Sequence, residues 1–376
     1  MSGRAAQAHG ACRRCLRRSW LLGELGATLD FLAPDRGRLH DALALSDREL
    51  IDSLAGRRRE ELHARHAGFD ERLQPLSPGV EALCRHDPRY PDGLRVLPGP
   101  ATLHAEGGAA RLRELARAPV VTLLGSKRPS DYGIEVATTL ARELSASGVT
   151  LASLLTDGVG AAAQLGAQVG AGASIAVLGG GLALASRPRL RPLRERLRGR
   201  GCVVSELPCA VPGRRWGEPA AERIAVALAS LVIVIEARDT PRELAGARLA
   251  SGLGRPLAAL PGRVTSALAR GPHVLLREGA GLVRDAQDVL DLLDGIAPRS
   301  SRGGRQPGRT VPLPAPLAAV LELVGSGADT PDRLLASGAQ PDGLLLALSQ
   351  LELLGLLGRG ENGRYLSRRL ARHSHI

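Results

Sequence analysis

The stretch Val120-Val121-Thr122-Leu123-Leu124-Gly125-Ser126-Lys127-Arg128-Pro129-Ser130-Asp131-Tyr132-Gly133 decides how this 376-residue chain is read. Its opening run of apolar and β-branched residues predicts a strand buried on both faces. Glycine and serines then break the run, and a helix follows over Ile134 to Ser145. The same rhythm recurs downstream. Apolar runs at Val149 to Leu155, Ser174 to Leu178, Cys202 to Ser205, Leu231 to Ile235 and Leu257 to Leu260 alternate with candidate helices near Gly160 to Val169, Leu193 to Leu197, Pro219 to Ala229 and Arg242 to Leu253. Alternation of this kind predicts βαβ units, and hence an α/β fold with a doubly wound, mostly parallel sheet under helices on both faces. Ligands of such sheets sit at the carboxyl ends of the strands.

Outward from this region the pattern changes. Over 11–70 the spacing of Leu21, Leu22, Leu25 and Leu29 is helical, and Ser46 with Glu49 makes a capping box, which predicts an N-terminal helical domain. Six prolines from Pro75 to Pro100 break regular structure over 71–118, which reads as a connecting region ahead of the α/β domain at 119–296. Residues 297–315, rich in Arg, Gly, Ser and Pro, read as a flexible linker. Over 316–370, three short helices followed by a two-stranded turn around Glu361-Asn362-Gly363 form a winged-helix pattern.

Hydrophobic residues make up 44% and charged residues 23%, which excludes wholesale disorder and a coiled-coil rod. Lys plus Arg number 50 against 38 Asp plus Glu, and Lys127 is the single lysine. A net charge of +12 carried on guanidinium groups suits bidentate contacts to an anionic partner, although a compositional bias toward Arg, Ala and Gly would give much of it with no function attached. Aromatics are only 2%, so few bases can be stacked. Five scattered cysteines, Cys12, Cys15, Cys84, Cys202 and Cys209, speak against a secreted disulfide framework and fit a reducing cytoplasm. No membrane span is expected, because the most apolar stretch, Ala225 to Ala237, is interrupted by Ser230 and Glu236.

Gly125 through Ser130 reads as a phosphate cradle: glycine permits close approach, free amides at a helix start attract anions, and Lys127 and Arg128 add charge. It is neither a Walker A loop nor a dinucleotide fingerprint, and the plain alternative is a strand-to-helix turn with two solvated cations. Gly179-Gly180-Gly181 permits a second close approach. The arginines that follow, from Arg187 through Arg189, Arg191, Arg194, Arg196 and Arg198 to Arg200, border the same sheet edge and would join the first loop in one electropositive groove; for the later members, which Glu195 interrupts, a solvated helix face is the favoured reading. Cys12-x-x-Cys15 is half a zinc site, but Cys84 and His86 lie far off in sequence, so a structural thiol pair beside Trp20 is expected and no metal. No Ser/His/Asp arrangement has local support, since G-x-S-x-G is absent and His273 is the sheet domain's one histidine, so surface or turn histidines are expected, and no cofactor is. Glu206 and Glu236 end apolar strands, where a carboxylate binds a hydroxyl or base edge or pairs with Arg223; the ion pair is the expected role.

Taken in order, these segments resemble the bacterial DNA-processing protein A (DprA/Smf) family from about Cys12 to Tyr365. The likeness rests on Cys15-Leu16-Arg17-Arg18, Tyr90-Pro91-Asp92-Gly93-Leu94, the Gly125 to Gly133 stretch, Ser205-Glu206-Leu207-Pro208, Glu236-Ala237, Pro261-Gly262 and Leu275-Leu276-Arg277-Glu278-Gly279-Ala280. The resemblance implies an extended Rossmann-like domain with a SAM-like helical domain before it and a winged helix after it. It further implies a non-catalytic protein that binds single-stranded DNA and helps load the RecA recombinase during transformation or recombination, with a homodimer compatible. Carried onto this chain, the DNA contacts fall on Gly125, Ser126, Lys127, Arg128, Ser153, Gly158, Gly179, Gly181, Ser205, Glu206 and Arg223.

This chain also departs from the family. The family's S-G-x-A-x-G-I-D-x-x-A-H has Leu154, Gly160 and Gln164 here at its Gly, Asp and His, and R-N-R-I is Ala221-Glu222-Arg223-Ile224. Two other readings stand beside the first. One is a nucleotide-binding, phosphoribohydrolase-like enzyme, against which Gly179-Gly180-Gly181-Leu182 lacks the Thr and Glu of that signature. The other is a member whose DNA pocket has decayed while its protein interactions remain.

Overall fold

A computed structural model describes residues 10–73, 75–98, 102–183, 188–296, 314–353, 357–359 and 364–367. Among these, nine strands form one sheet: β1 (Val80–Cys84), β2 (Thr102–Glu106), β3 (Val120–Leu124), β4 (Thr150–Leu154), β5 (Ser174–Val177), β6 (Cys202–Ser205), β7 (Leu231–Val234), β8 (Leu257–Ala259) and β9 (Gly281–Leu282). Their order is β1-β2-β6-β5-β4-β3-β7-β8-β9. From β6 across to β9 every neighbouring pair is parallel. The chain leaves β3 for β4 on one side and returns to β3's other side with β7, so the winding reverses about β3 and opens a crevice at the carboxyl ends there.

Strand alternation explains the layers. Val120 and Leu124 of β3 join Leu154 and Val232 in a core beneath the helices Ala109–Arg117, Gly217–Leu228 and Ala245–Gly252. Val121 and Leu123 point the opposite way, into a core shared with Leu151 and Ile233 under Asp131–Ala146, Val159–Val169 and Ala286–Ile296. Both faces being covered, all five β3 residues are buried. Burying each such aliphatic side chain contributes about 1.5–3 kcal/mol.

The segment 71–118, read above as a connection, supplies two strands. β2 runs antiparallel to β6 and β1 antiparallel to β2, extending the sheet at one edge. The prolines fall outside both strands, so no ladder N–H is lost.

Helices Arg13–Glu24, Gly26–Leu32, Arg36–Ala44, Asp47–Leu54 and Arg59–Ala67 form a layer beside the sheet. The Ser46–Glu49 capping box is present in both directions. Leu21, Leu22, Leu25 and Leu29 build a core that continues into Leu207, Trp216 and Ala220 of the α/β region. This layer and the sheet accordingly belong to one compact unit, Met1–Ile296, while Ala297–Ile376 forms a second. In the second unit, helices Ala315–Gly325, Pro331–Ala336 and Leu344–Leu353 precede an antiparallel pair, β10 (Leu357–Arg359) and β11 (Tyr365–Ser367), around a core containing Leu321, Leu334, Leu348 and Leu351. The turn at Glu361-Asn362-Gly363 lies outside the described residues. No helix among the described residues is long and apolar enough to cross a membrane.

Candidate functional site

Two adjoining hollows open at the carboxyl ends of the parallel strands. The larger, about 780 Å3, lies past the ends of β4 and β5 and is lined by Gly179, Gly180 and Gly181. The smaller, about 430 Å3, lies past β3 and is lined by Gly125, Ser126, Lys127 and Arg128. Arg36, Lys127, Leu154, Thr156, Glu218 and Arg242 line both, so the two form one cleft. Gly125, Lys127 and the Gly179 triplet are thus brought together at one sheet edge.

The loop after β3 is held from inside by Glu236. Because Leu124 pairs with Val234 in parallel register, the chain two residues past β7 lies beside the loop. Ser126 N donates to Glu236 O at 2.6 Å, and the buried Glu236 carboxylate accepts from Ser130 N at 2.8 Å and from Ser130 Oγ at 2.7 Å. Ser130 Oγ in turn caps the helix Asp131–Ala146 by accepting from Gly133 N at 3.2 Å. A Cβ on Gly125 would lie 2.7 Å from Val159 Cγ2 and 2.9 Å from Glu236 O, so glycine is needed for the loop to fit. Glu236 therefore braces this loop and does not pair with Arg223 as expected.

Several residues expected to touch DNA face inward. Gly158, at φ +82°, sits against the Ser126 and Lys127 backbone, where a Cβ would collide, and Val159 N donates to Ser126 O at 3.1 Å. Ser153 is fully buried: its Oγ donates to Gly160 O at 3.0 Å and accepts from Gln164 Nε2 at 3.0 Å. Gln164, at the family's histidine position, also donates to Ile175 O, tying β4 to β5. Ser205 Oγ accepts from Leu207 N at 3.1 Å inside the sheet. Gly179, Gly180 and Gly181 line the cleft, but their close approach is to Gly217, Gly213 and Cys209, the segment that crosses over them.

Arg223 and Glu206, which the family resemblance placed among the DNA contacts, form the ion pair expected from the residues themselves, with each side chain only 4% exposed. Burial pushes the Glu206 carboxyl up, and the Arg223 guanidinium opposes that shift. His40, close to this pair, is lowered to about 4 by burial and by Arg223 and Arg36. The arginine series after β5 is also partly internal: buried Arg194 pairs with Glu106 at 3.0 Å and donates to Leu182 O, and Arg198 pairs with the same carboxylate at 2.8 Å. Arg187 lies outside the described residues. The reason is topological, because the helix Arg191–Arg200 packs on β5 and β6, and β2 pairs with β6 so that Glu106, at the end of β2, lies opposite Val203 within reach of the helix.

Charge on the cleft divides into paired and unpaired groups. Lys127 pairs with Glu218, Arg36 with Glu222, Arg214 with Asp30 and Arg238 with Glu243. The Arg36 pair joins the N-terminal layer to the rim and offsets the acid at the family's Asn position; burial pushes Glu222 up against the pull of Arg36. Exposed Arg128, Arg215 and Arg242 have no ion-pair partner among the described residues, so the excess positive charge of the cleft rests on them. Arg215 and Arg242 escaped the sequence reading. Both follow strand ends, in Pro212-Gly213-Arg214-Arg215 after β6 and Thr240-Pro241-Arg242 after β7, and that position was the available signal.

One correction lies away from the cleft. Cys84, at the end of β1, and His86 in the turn after it are brought against Cys12 and Cys15, and all four ligand atoms lie within 4.8 Å of one another. The thiol pair expected to stand alone is part of a four-residue cluster, because β1 joins the sheet edge beside the first helix.

Fold and site together define a Rossmann-like α/β protein with an arginine-rimmed cleft at the carboxyl edge of its sheet. Residues 81–294 match the family of DNA recombination-mediator protein A. Protein Smf of Escherichia coli (strain K12) is 32% identical over 294 residues, covering 76% of each chain. The X-ray structure of DNA processing protein A from Streptococcus pneumoniae matches with a TM-score of 0.60 at 25% identity, over 75% of this chain and 98% of that one. A structure describing the single-stranded DNA binding mode of DNA processing protein A from Helicobacter pylori matches with a TM-score of 0.51 at 25% identity, over 57% and 96%. The chain belongs to the DNA-processing protein A (DprA/Smf) family.

Proposed function

We propose that this chain is a non-catalytic recombination mediator that holds single-stranded DNA along the cleft and passes it to RecA in the cytoplasm. The observation that carries this reading is the set of exposed guanidinium groups of Arg128, Arg215 and Arg242 around a loop that Glu236 holds fixed. Fixed donors and cations along an extended groove suit a phosphate backbone and leave the bases to be handled without sequence readout. The described aromatics agree, since only Phe31 and Tyr132, 84% and 52% exposed, present large ring surfaces. Gly125, Ser126, Lys127, Gly179 and Gly181 would shape the groove wall. Ser153, Gly158, Ser205, Glu206 and Arg223 would act by supporting it from within.

The C-terminal unit is proposed as a winged helix that contacts duplex DNA or a protein, and a second copy of the chain as the partner in a homodimer. Filter binding of the whole chain against oligo-dT and a duplex of equal length, across a salt series, tests the reading. Preference for the single strand with a steep fall of affinity in salt is expected. Retained RecA binding with no binding to oligo-dT at low salt would overturn the DNA-holding role.

A further inference from the structure

We propose that Cys12, Cys15, Cys84 and His86 hold one structural zinc ion that fastens the N-terminal helical layer to the edge strand of the sheet. The argument is geometric. His86 Nδ1 lies 3.5 Å from Cys12 Sγ, 3.5 Å from Cys15 Sγ and 3.6 Å from Cys84 Sγ. In a tetrahedral site with ordinary zinc–sulfur and zinc–imidazole bonds, the edge between a sulfur and a nitrogen is about 3.5–3.6 Å. Hydrogen bonding does not explain the arrangement, because one imidazole nitrogen carries one lone pair or one proton and cannot serve three sulfurs at equal distance.

The local backbone suits metal binding. Cys12 stands at the start of the helix Arg13–Glu24, as its N-cap residue, and Cys15 in its first turn, with Cys15 N donating to Cys12 O at 3.0 Å. Free amides at a helix start stabilise thiolates. Asp87 N donates to Cys84 O at 2.8 Å, closing the turn that carries His86. Three soft thiolates and one imidazole at tetrahedral spacing select zinc, and a full set of four protein ligands leaves no open coordination position, as in structural sites. Cys15 and Cys84 are buried among Ala11, Leu16, Phe69 and Ala82, while Cys12 and His86 face solvent.

The cluster links elements 71 residues apart at Cys15 and His86. Such a cross-link would hold the helical layer whose Asp30 and Arg36 line the cleft. The test measures zinc and iron by elemental analysis in the full chain purified without chelator, then replaces the metal with cobalt and records the visible spectrum. One zinc per chain is expected, with the ligand-field bands of tetrahedral cobalt and thiolate-to-cobalt charge transfer. Cys84→Ser and His86→Ala should lose the metal and lower the melting temperature; Cys209→Ser, outside the cluster, should keep the metal. Wild-type chain with no zinc above background and no thiolate–cobalt bands would overturn the proposal. So would iron in place of zinc, or a disulfide among the three thiols found by mass. Since DNA binding is not the readout, failure here is distinct from failure of the proposed function.

Discussion

The loop after β3 and the helix Arg191–Arg200 both enter the sequence as cationic runs, and the structure uses them in opposite ways. In the loop, the carboxylate of Glu236 bonds to Ser130 and leaves Arg128 exposed on the cleft. In the helix, Glu106 accepts from Arg194 and Arg198 directly. The lesson is that a cationic run keeps its charge free for a partner only where the nearby carboxylates are occupied by something other than arginine.

The comparison breaks most readily at its buried end. Arg223→Ala leaves Glu206 buried without its guanidinium partner and should destabilise the fold by about 3–5 kcal/mol, read by denaturant unfolding, while Arg194→Ala, which leaves Glu106 paired with Arg198 alone, should cost about 1–3 kcal/mol. Arg128→Ala, on the exposed loop, should stay within about 0.5 kcal/mol of wild type. Equal costs for Arg194→Ala and Arg128→Ala would erase the distinction.

A second, smaller effect tests the brace. Glu236→Ala removes the acceptor of the Ser130 N–H and hydroxyl, and should cost about 1–3 kcal/mol. Weaker oligo-dT binding by the folded variant should accompany that loss. Undiminished affinity would mean that the loop needs no fixing.

Acid offers a third handle. His40 is about 4 in the folded chain against an ordinary 6.5, so the unfolded chain takes up a proton first as pH falls. Stability should therefore drop between about pH 6.5 and 4 by roughly 1–2 kcal/mol, after allowance for partial solvent screening. His40→Gln should flatten that part of the unfolding profile, and an unchanged profile would place the acid sensitivity elsewhere.

Much of this was legible in sequence because burial on both faces leaves its mark on consecutive residues. Val120 to Leu124 and Leu231 to Ile235 read as strands for that reason, and Ser46 with Glu49 read as a cap because the interaction is local. What escaped depends on contacts across the chain. The choice of Glu206 over Glu236 as the partner of Arg223 follows from which strand end lies over which helix, and β1 and β2 were hidden because prolines crowd the segment that carries them and read as breaks. The gathering of Cys84 and His86 beside Cys12 depended on β1 being recognised as a strand. The Arg223 position shows the limit of motif transfer: a resemblance carries the residue over, but not whether its charge is free.

The decisive measurement is the slope of log affinity for oligo-dT against log salt, taken for wild type and for the triple variant Arg128→Ala, Arg215→Ala, Arg242→Ala. At about 0.7 per phosphate contact, the triple variant should be shallower by about 2 with unfolding unchanged, while Arg189→Ala with Arg196→Ala should match wild type. An unchanged slope in the triple variant, or flattening only when the arginines of the helix Arg191–Arg200 are removed, would contradict the assignment of the cleft as the place where single-stranded DNA is held.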